Sequence, residues 1–257
     1  MERRRILKLL AAAATGLWAK QIPTNVLLQA AELGSGAGNP STPVAPISQE
    51  SPSPEPLLPL FPLELVLFPR TPLALHIFEE RYKEMIGDCL RNDWEFGILL
   101  VHDDSVVNIG CTASVTQVVR RYPDGRMDIL VLGRRRFEIR TLNQEKSYLR
   151  GRPRFFEDDE TEPPDSDMRQ HGVQLYGRLM ELLKSENQSA EKPSPAVDDP
   201  QLSFQMMDRL PASPEWKQNL LELRSEHERL TRVVGYLQHL VDYLEHSHEE
   251  PTQPGKA

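Results

Sequence analysis

The rhythm of apolar and polar positions changes along this chain, and the changes divide it. Between Leu73 and Phe156 the apolar residues come in short runs or loose alternation, the periodicity of strands. LALHIF at 73–78, the run from Phe96 to His102, and the stretches Val106–Arg120 and Met127–Leu132 all read as strands. Phe137–Ile139 and Tyr148–Phe156 add two more. PDGR at 123–126 joins VTQVVRRY to MDILVL and predicts a hairpin, because proline presets φ and glycine accepts a positive φ. One helix interrupts these strands. In EERYKEMIGDCLR, Tyr82, Met85, Ile86, Cys89 and Leu90 fall on one helical stripe, with Glu79 and Glu80 at the start and Arg91 at the end.

Beyond Phe156 the period lengthens. EDDETEPPDSD at 157–167 reads as an acidic hinge, and Met168, Gly172, Leu175, Leu179 and Leu182 then step by four and three. Polar residues and three prolines break the pattern between Glu186 and Pro200, after which Leu202–Leu210 and Pro214–Leu223 read as short helices. The last helix is the most regular: Leu223, His227, Leu230, Val234, Leu237, Val241 and Leu244 form a heptad seam. Three heptads are short for a free-standing coiled coil, so the seam is expected to pack on helices of its own chain. Dimerisation through that helix is the alternative. A helical subdomain is therefore expected over 168–246, with a disordered tail at 247–257.

The N-terminal quarter has neither rhythm. Residues 34–56, GSGAGNPSTPVAPISQESPSPEP, hold six prolines and almost no large apolar side chains, the composition of a flexible linker. Residues 1–33 read as a signal or a disordered segment. MERRRILKLLAAAATGLWA resembles a twin-arginine export signal, with Glu2 where Ser or Thr is usual and no clean cleavage site following at once. A short amphipathic helix or a translation start placed too far upstream would give the same letters. A cytoplasmic protein is expected, with export as the alternative.

The stretch PLFPLELVLFP, 59–69, combines three prolines with large apolar side chains. Such a segment suits a strand at a sheet edge, or one that bends between two sheets of a small barrel. LPLFPL, then LFP, LHIFEERY, the glycine of NIG, the DG turn and the LGRRRF block follow in order. Together they resemble the N-terminal substrate-recognition domain of the Lon protease family, and more closely the stand-alone bacterial proteins built from that domain alone. The likeness runs from about Leu57 to Leu244. It implies an α+β fold: a PUA-like, six-stranded pseudo-barrel with one helix over 57–156, followed by a C-terminal helical bundle. Arg70 departs from the family, which more often has glycine after LFP; arginine there puts a tight, positive-φ turn in doubt.

The resemblance also implies a function, binding of unfolded or degron-bearing polypeptides in protein quality control. Catalysis is not expected. The chain has no GxxxxGK[ST] loop to cradle phosphates and no GxSxG elbow, so ATPase and Ser-Lys protease modules are absent from the sequence. No cofactor or metal is expected. Cys89 and Cys111 are the two cysteines, without a CxxC pair, and read as buried reduced thiols; His246 and His248 sit in a polar tail without further ligands.

Charge adds the last candidates. The 257 residues carry a formal −8, against a dedicated nucleic-acid binder, yet residues 112–156 hold eleven Lys/Arg against four Asp/Glu. The candidate peptide-binding residues are Phe61, Phe68, Phe78 and Tyr82, apolar groups near bends, and the run Arg134, Arg135, Arg136. Strand alternation allows at most half of the basic residues to share a surface. Peptide capture further requires that some of the aromatic residues lie exposed. PUA-like barrels elsewhere bind RNA, so an RNA-binding module is the rival reading, and a structural adaptor a third.

Overall fold

The computed structural model describes residues 57–102, 105–159, 164–183, 195–208 and 210–246. The N-terminal segment, the linker, the tail and the middle of the acidic hinge thus lie outside the described residues. Six strands are formed: β1 (Leu58–Leu63), β2 (Pro72–Ile77), β3 (Phe96–His102), β4 (Ser105–Arg121), β5 (Met127–Asn143) and β6 (Arg150–Phe155). Five helices accompany them among the described residues: α1 (Glu80–Asn92), α2 (Ser166–Leu183), α3 (Leu202–Met207), α4 (Pro214–Glu222) and α5 (Glu226–His246). None is long and apolar enough to cross a membrane. The described chain divides into a barrel unit, which includes residues 57–157 and 213–221, and a helical unit that includes 222–246. Helix α4, read from sequence as part of the helical subdomain, therefore groups with the barrel. Its Gln218 side chain donates to the Ile109 carbonyl at 3.1 Å.

In the barrel unit the strand order is β2-β5-β4-β3-β1-β6, and β6 pairs again with β5, so the sheet closes on itself. The seventeen-residue β5 makes closure possible. It pairs with β2 through residues 127–132 and with β6 through 137–143. The two separate strands expected around LGRRRF are thus one continuous strand.

The proline-containing β1 lies inside the sheet, and the bend between two partners explains it. Its first half pairs with β6 at Leu58–Gly151 and Pro59–Arg150, its second half with β3 from Leu60–Gly97 onward. The Leu60 N–H donates to the Leu149 carbonyl at 2.8 Å, which sets which side each amide faces. By alternation, the donor missing at Pro59 would point towards β3 before that pairing starts. The one missing at Pro62 would point towards β6 after that pairing has ended. Neither proline removes a ladder bond. All six residues of β1 are buried. Leu58 and Leu60 pack in a cluster with Leu99, Phe137 and Leu149. Phe61 turns the other way, with its ring 4.2 Å from that of Tyr82 on α1. A strand buried on both faces needs the near-continuous apolar sequence seen here.

The segment after β1 turns at Pro69–Arg70 and is held against β5. The Arg70 N–H donates to the Gly133 carbonyl at 2.8 Å, and the Gly133 N–H returns a bond to the Thr71 carbonyl at 2.9 Å. The approach leaves no room at Gly133, where a Cβ would lie 2.0 Å from the Phe68 carbonyl oxygen. Arg70 takes φ 61°, so the positive-φ turn that its side chain put in doubt is formed nonetheless. At the other end of β5 the hairpin closes as expected. Gly125 has φ 84°, its N–H donates to the Tyr122 carbonyl at 3.0 Å, and Tyr122 N–H donates to the Arg126 carbonyl at 2.9 Å.

In the helical unit α2 and α3 pack on α5, where a Cβ at Gly172 would lie 3.1 Å from Met206 and 3.2 Å from Val234. Helix α5 buries Leu230, Val233, Leu237, Leu240, Val241 and Leu244. His227 is exposed and Val234 half-buried, so the inward stripe is broader than the heptad seam. A helix contacting two others in a globular unit needs that breadth. Arg229, with no exposed side-chain surface, sits at the head of this stripe. Its two terminal nitrogens donate to Asp158 at 2.6 and 2.5 Å, one reaches Glu226 at 2.8 Å, and Nε donates to Ser203 at 3.2 Å. A guanidinium so deep needs every one of these partners; losing one from such a buried pair typically costs about 3–5 kcal/mol.

Two substitutions test the barrel. Gly133→Ala must push the Phe68 carbonyl aside and is expected to lower unfolding free energy by at least about 2 kcal/mol in denaturant titration. Tyr82→Phe is expected to raise it by about 1 kcal/mol, because the Tyr82 hydroxyl is buried without a hydrogen-bond partner among the described residues.

Candidate functional site

The candidate site grows out of two local irregularities in the barrel unit. The first is at the end of α1. Asp93 adopts the left-handed conformation (φ 54°, ψ 42°), and the Trp94 N–H donates back to the Cys89 carbonyl at 3.0 Å. This cap ends the helix and turns Trp94 out, leaving it 45% exposed. The second is in β5. Ala113 pairs with Gly133 but Cys111 pairs with Arg136, so Arg134 and Arg135 together face the single residue Thr112. That is a β-bulge, and the Thr112 hydroxyl accepts the Arg135 N–H at 3.1 Å.

The bulge overturns the expectation drawn from alternation. Arg134 and Arg135 are adjacent in sequence, yet both are exposed. Arg136 resumes the inward phase and is only 2% exposed, with its guanidinium 4.8 Å from the Phe156 ring centroid and donating to the Leu221 carbonyl at 3.2 Å.

Together these irregularities line a cleft of about 500 Å³ whose walls include Arg70, Asp93, Trp94, Glu95, Arg134 and Arg135. Arg134 Nε donates to the Ser114 hydroxyl at 2.8 Å. Arg135 lies 3.8 Å from the Phe155 ring centroid and 3.5 Å from a Glu95 carboxylate oxygen. Phe155 is 40% exposed beside it. The cleft is thus lined by guanidinium groups, an indole and two carboxylates.

Of the other sequence candidates, Phe61, Phe68 and Tyr82 are buried in the core, at 1% exposure or less. They therefore cannot meet a partner in this fold: Phe61 packs on Tyr82 of α1, and Phe68 lies in the turn held against β5. Phe78 is 46% exposed, but it belongs to a second surface. Its ring lies 6.0 Å from that of His76, and His76 meets Tyr122 edge-on at 5.9 Å. Asp128 joins His76 Nδ1 at 2.6 Å and accepts the Tyr122 hydroxyl at 2.8 Å. Burial raises the Asp128 pKa, but hydrogen bonds from His76 and Tyr122 outweigh it and leave it below the usual carboxylate value.

Sequence reading missed Trp94 and Phe155. Trp94 did carry a signal, a lone indole in the polar string RNDWE after a helix. Phe155 had none, because its outward phase depends on the register of β6. Burial pushes both thiols, Cys89 and Cys111, up to about 12, so neither is a nucleophile at neutral pH. Among the described residues no three His, Cys, Asp or Glu side chains converge as metal ligands.

With this geometry in view, the chain matches the family model for the ATP-dependent protease La (LON) substrate-binding domain over residues 57–239. The chain belongs to this family. It is 26% identical over 196 residues to Lon protease 1 of Hydrogenovibrio crunogenus, covering 71% of this chain and 23% of that protein. Over 208 residues it is 24% identical to the Lon protease of Buchnera aphidicola, covering 73% and 25%. The chain thus spans about a quarter of the length of these curated relatives. The crystal structure of a Lon N-terminal domain protein from Xanthomonas campestris superposes with a TM-score of 0.55 at 24% identity, covering 70% of this chain and 98% of that one. The N-terminal domain of the Mycobacterium avium complex Lon protease gives 0.52 at 15% identity, covering 71% and 98%. At these identities the likeness carries the fold. The six-stranded sheet with helices expected from the sequence is the one these domains share.

Helix α1, which carries one wall of the cleft, is fixed by Asp88. Its carboxylate accepts Lys146 Nζ at 2.5 Å and the Tyr148 hydroxyl at 2.6 Å, and pairs with Arg91. Burial raises its pKa, but these bonds outweigh burial and hold it below the usual carboxylate value. A carboxyl depressed on folding contributes stability above its unfolded pKa and loses it as pH falls through the folded value. Asp88→Asn is therefore expected to cost about 1–2 kcal/mol at neutral pH. Melting curves of the two proteins should converge below about pH 4.

Proposed function

We propose that this chain is a non-catalytic, Lon-type recognition domain that binds unfolded or degron-bearing polypeptide segments, as part of protein quality control. The carrying observation is the match to the LON substrate-binding domain over residues 57–239. Exposed aromatic side chains on the barrel unit support it: Trp94 and Phe155 beside the cleft, and Phe78 on the second surface. Large exposed apolar groups on one small unit are what capture of a non-native chain requires. The adaptor reading is weaker, because Leu230, Leu237, Val241 and Leu244 of the α5 seam are already buried within their own unit.

The test is fluorescence anisotropy with a labelled, reduced and alkylated polypeptide that cannot fold. Saturable binding in the micromolar range is expected, and little weakening between about 50 and 200 mM salt. Absence of binding, or tighter binding to single-stranded RNA with a steep loss over the same salt range, would overturn the proposal.

A further inference from the structure

Among the described residues the two non-glycine positions with positive φ are Arg70 (61°) and Asp93 (54°), and both line the cleft under β5. Aspartate tolerates this conformation at a helix end. Arginine does not favour it: a side chain with a Cβ loses roughly 1–2 kcal/mol there, which glycine would avoid. Strain of this kind concentrates where a side chain is held in place for a ligand. Arg134, across the Arg70–Gly133 hydrogen bond, is prepared in a different way. Ser114 fixes its Nε, while both terminal nitrogens have no partner among the described residues. Arg135 is occupied, by Phe155 and Glu95. The Trp94 indole closes the other side.

A guanidinium fork with Nε anchored and its outer edge open matches a carboxylate in two parallel hydrogen bonds. An exposed indole nearby suits an apolar side chain next to that carboxylate. We infer that this cleft selects acidic polypeptide segments in which Asp or Glu side chains alternate with large apolar ones, Arg134 taking a carboxylate and Trp94 the apolar group. The inference rests on the polypeptide-binding reading above and gives it a specificity. Asp93 and Glu95 also line the cleft, and they oppose a continuous phosphate backbone more than carboxylates spaced by apolar residues.

The experiment titrates the full chain with a labelled peptide of alternating Glu and Phe separated by Gly, its Gln counterpart, the Gln peptide with a free or amidated C-terminus, and oligouridylate. The Glu peptide is expected to bind about tenfold more tightly than the Gln peptide, an advantage that shrinks with salt. Arg134→Gln should erase about three- to tenfold of that advantage and leave the Gln peptide unaffected. Trp94→Ala should weaken both peptides. Equal affinity for Glu and Gln peptides, or an advantage indifferent to Arg134→Gln in a variant with unchanged melting, sinks the inference. So does a preference for oligouridylate, or for the free over the amidated C-terminus with no effect of internal Glu. The unfolded polypeptide is run beside them. If it binds while the Glu preference is missing, the cleft fails and the general reading stands. If the Glu peptide alone binds, the reverse holds.

Discussion

Everything in the barrel unit leans on the contact between the Phe68 carbonyl and the bare Cα of Gly133. Only a residue without Cβ lets the turn at 68–71 lie on β5, since the missing atom would sit 2.0 Å from that oxygen. The reciprocal bonds between Arg70, Thr71 and Gly133 then carry the chain from the end of β1 into β2. β1 itself has by then left β6 and joined β3. The two prolines of β1 are tolerated because of that change of partner. The LFP and LGRRRF motifs, more than sixty residues apart, are thus two halves of one contact.

That coupling shows why the fold was legible and the site was not. Strands, the hairpin and the first helix follow from local rules: period two, a DG turn, an i, i+3, i+4 stripe ending in charge. Tyr82, Met85, Ile86 and Cys89 are buried as their spacing demands. The outward face of β5 follows from no local rule. Whether Arg134 and Arg135 share a side depends on one extra residue opposite Thr112, and that residue is set by register, a property of two strands. Phe61, Phe68 and Tyr82 failed as surface candidates for a related reason. A bend in an oily strand exposes side chains only if nothing covers it, and α1 covers this one. In the helical unit the α5 stripe was legible in position but too narrow, because its second partner, α3, comes from a segment with little pattern of its own.

Charge is handled differently in the two units. The helical unit buries Arg229 and surrounds it with Asp158, Glu226 and Ser203, so a cation becomes a fixed part of the core. The barrel unit buries Arg136 against Phe156 and a backbone carbonyl, and sends its two sequence neighbours outward. An inward Arg next to an outward pair is a costly arrangement for a strand unless the bulge amide is capped. The Thr112 hydroxyl supplies that cap.

Arg70 joins the two themes. Its backbone adopts the conformation that glycine would take at less cost, in the turn on which closure of the barrel depends. A chain selected for stability alone would place glycine there and gain roughly 1 kcal/mol before counting the added freedom of the unfolded state. Arginine instead adds a cation to the lining of the cleft, one hydrogen bond away from the bulge that presents Arg134. The strain and the bulge are both departures from regular structure, and they meet at the same place. Strain and irregular register gathered in one place are what a surface shaped for a partner would show.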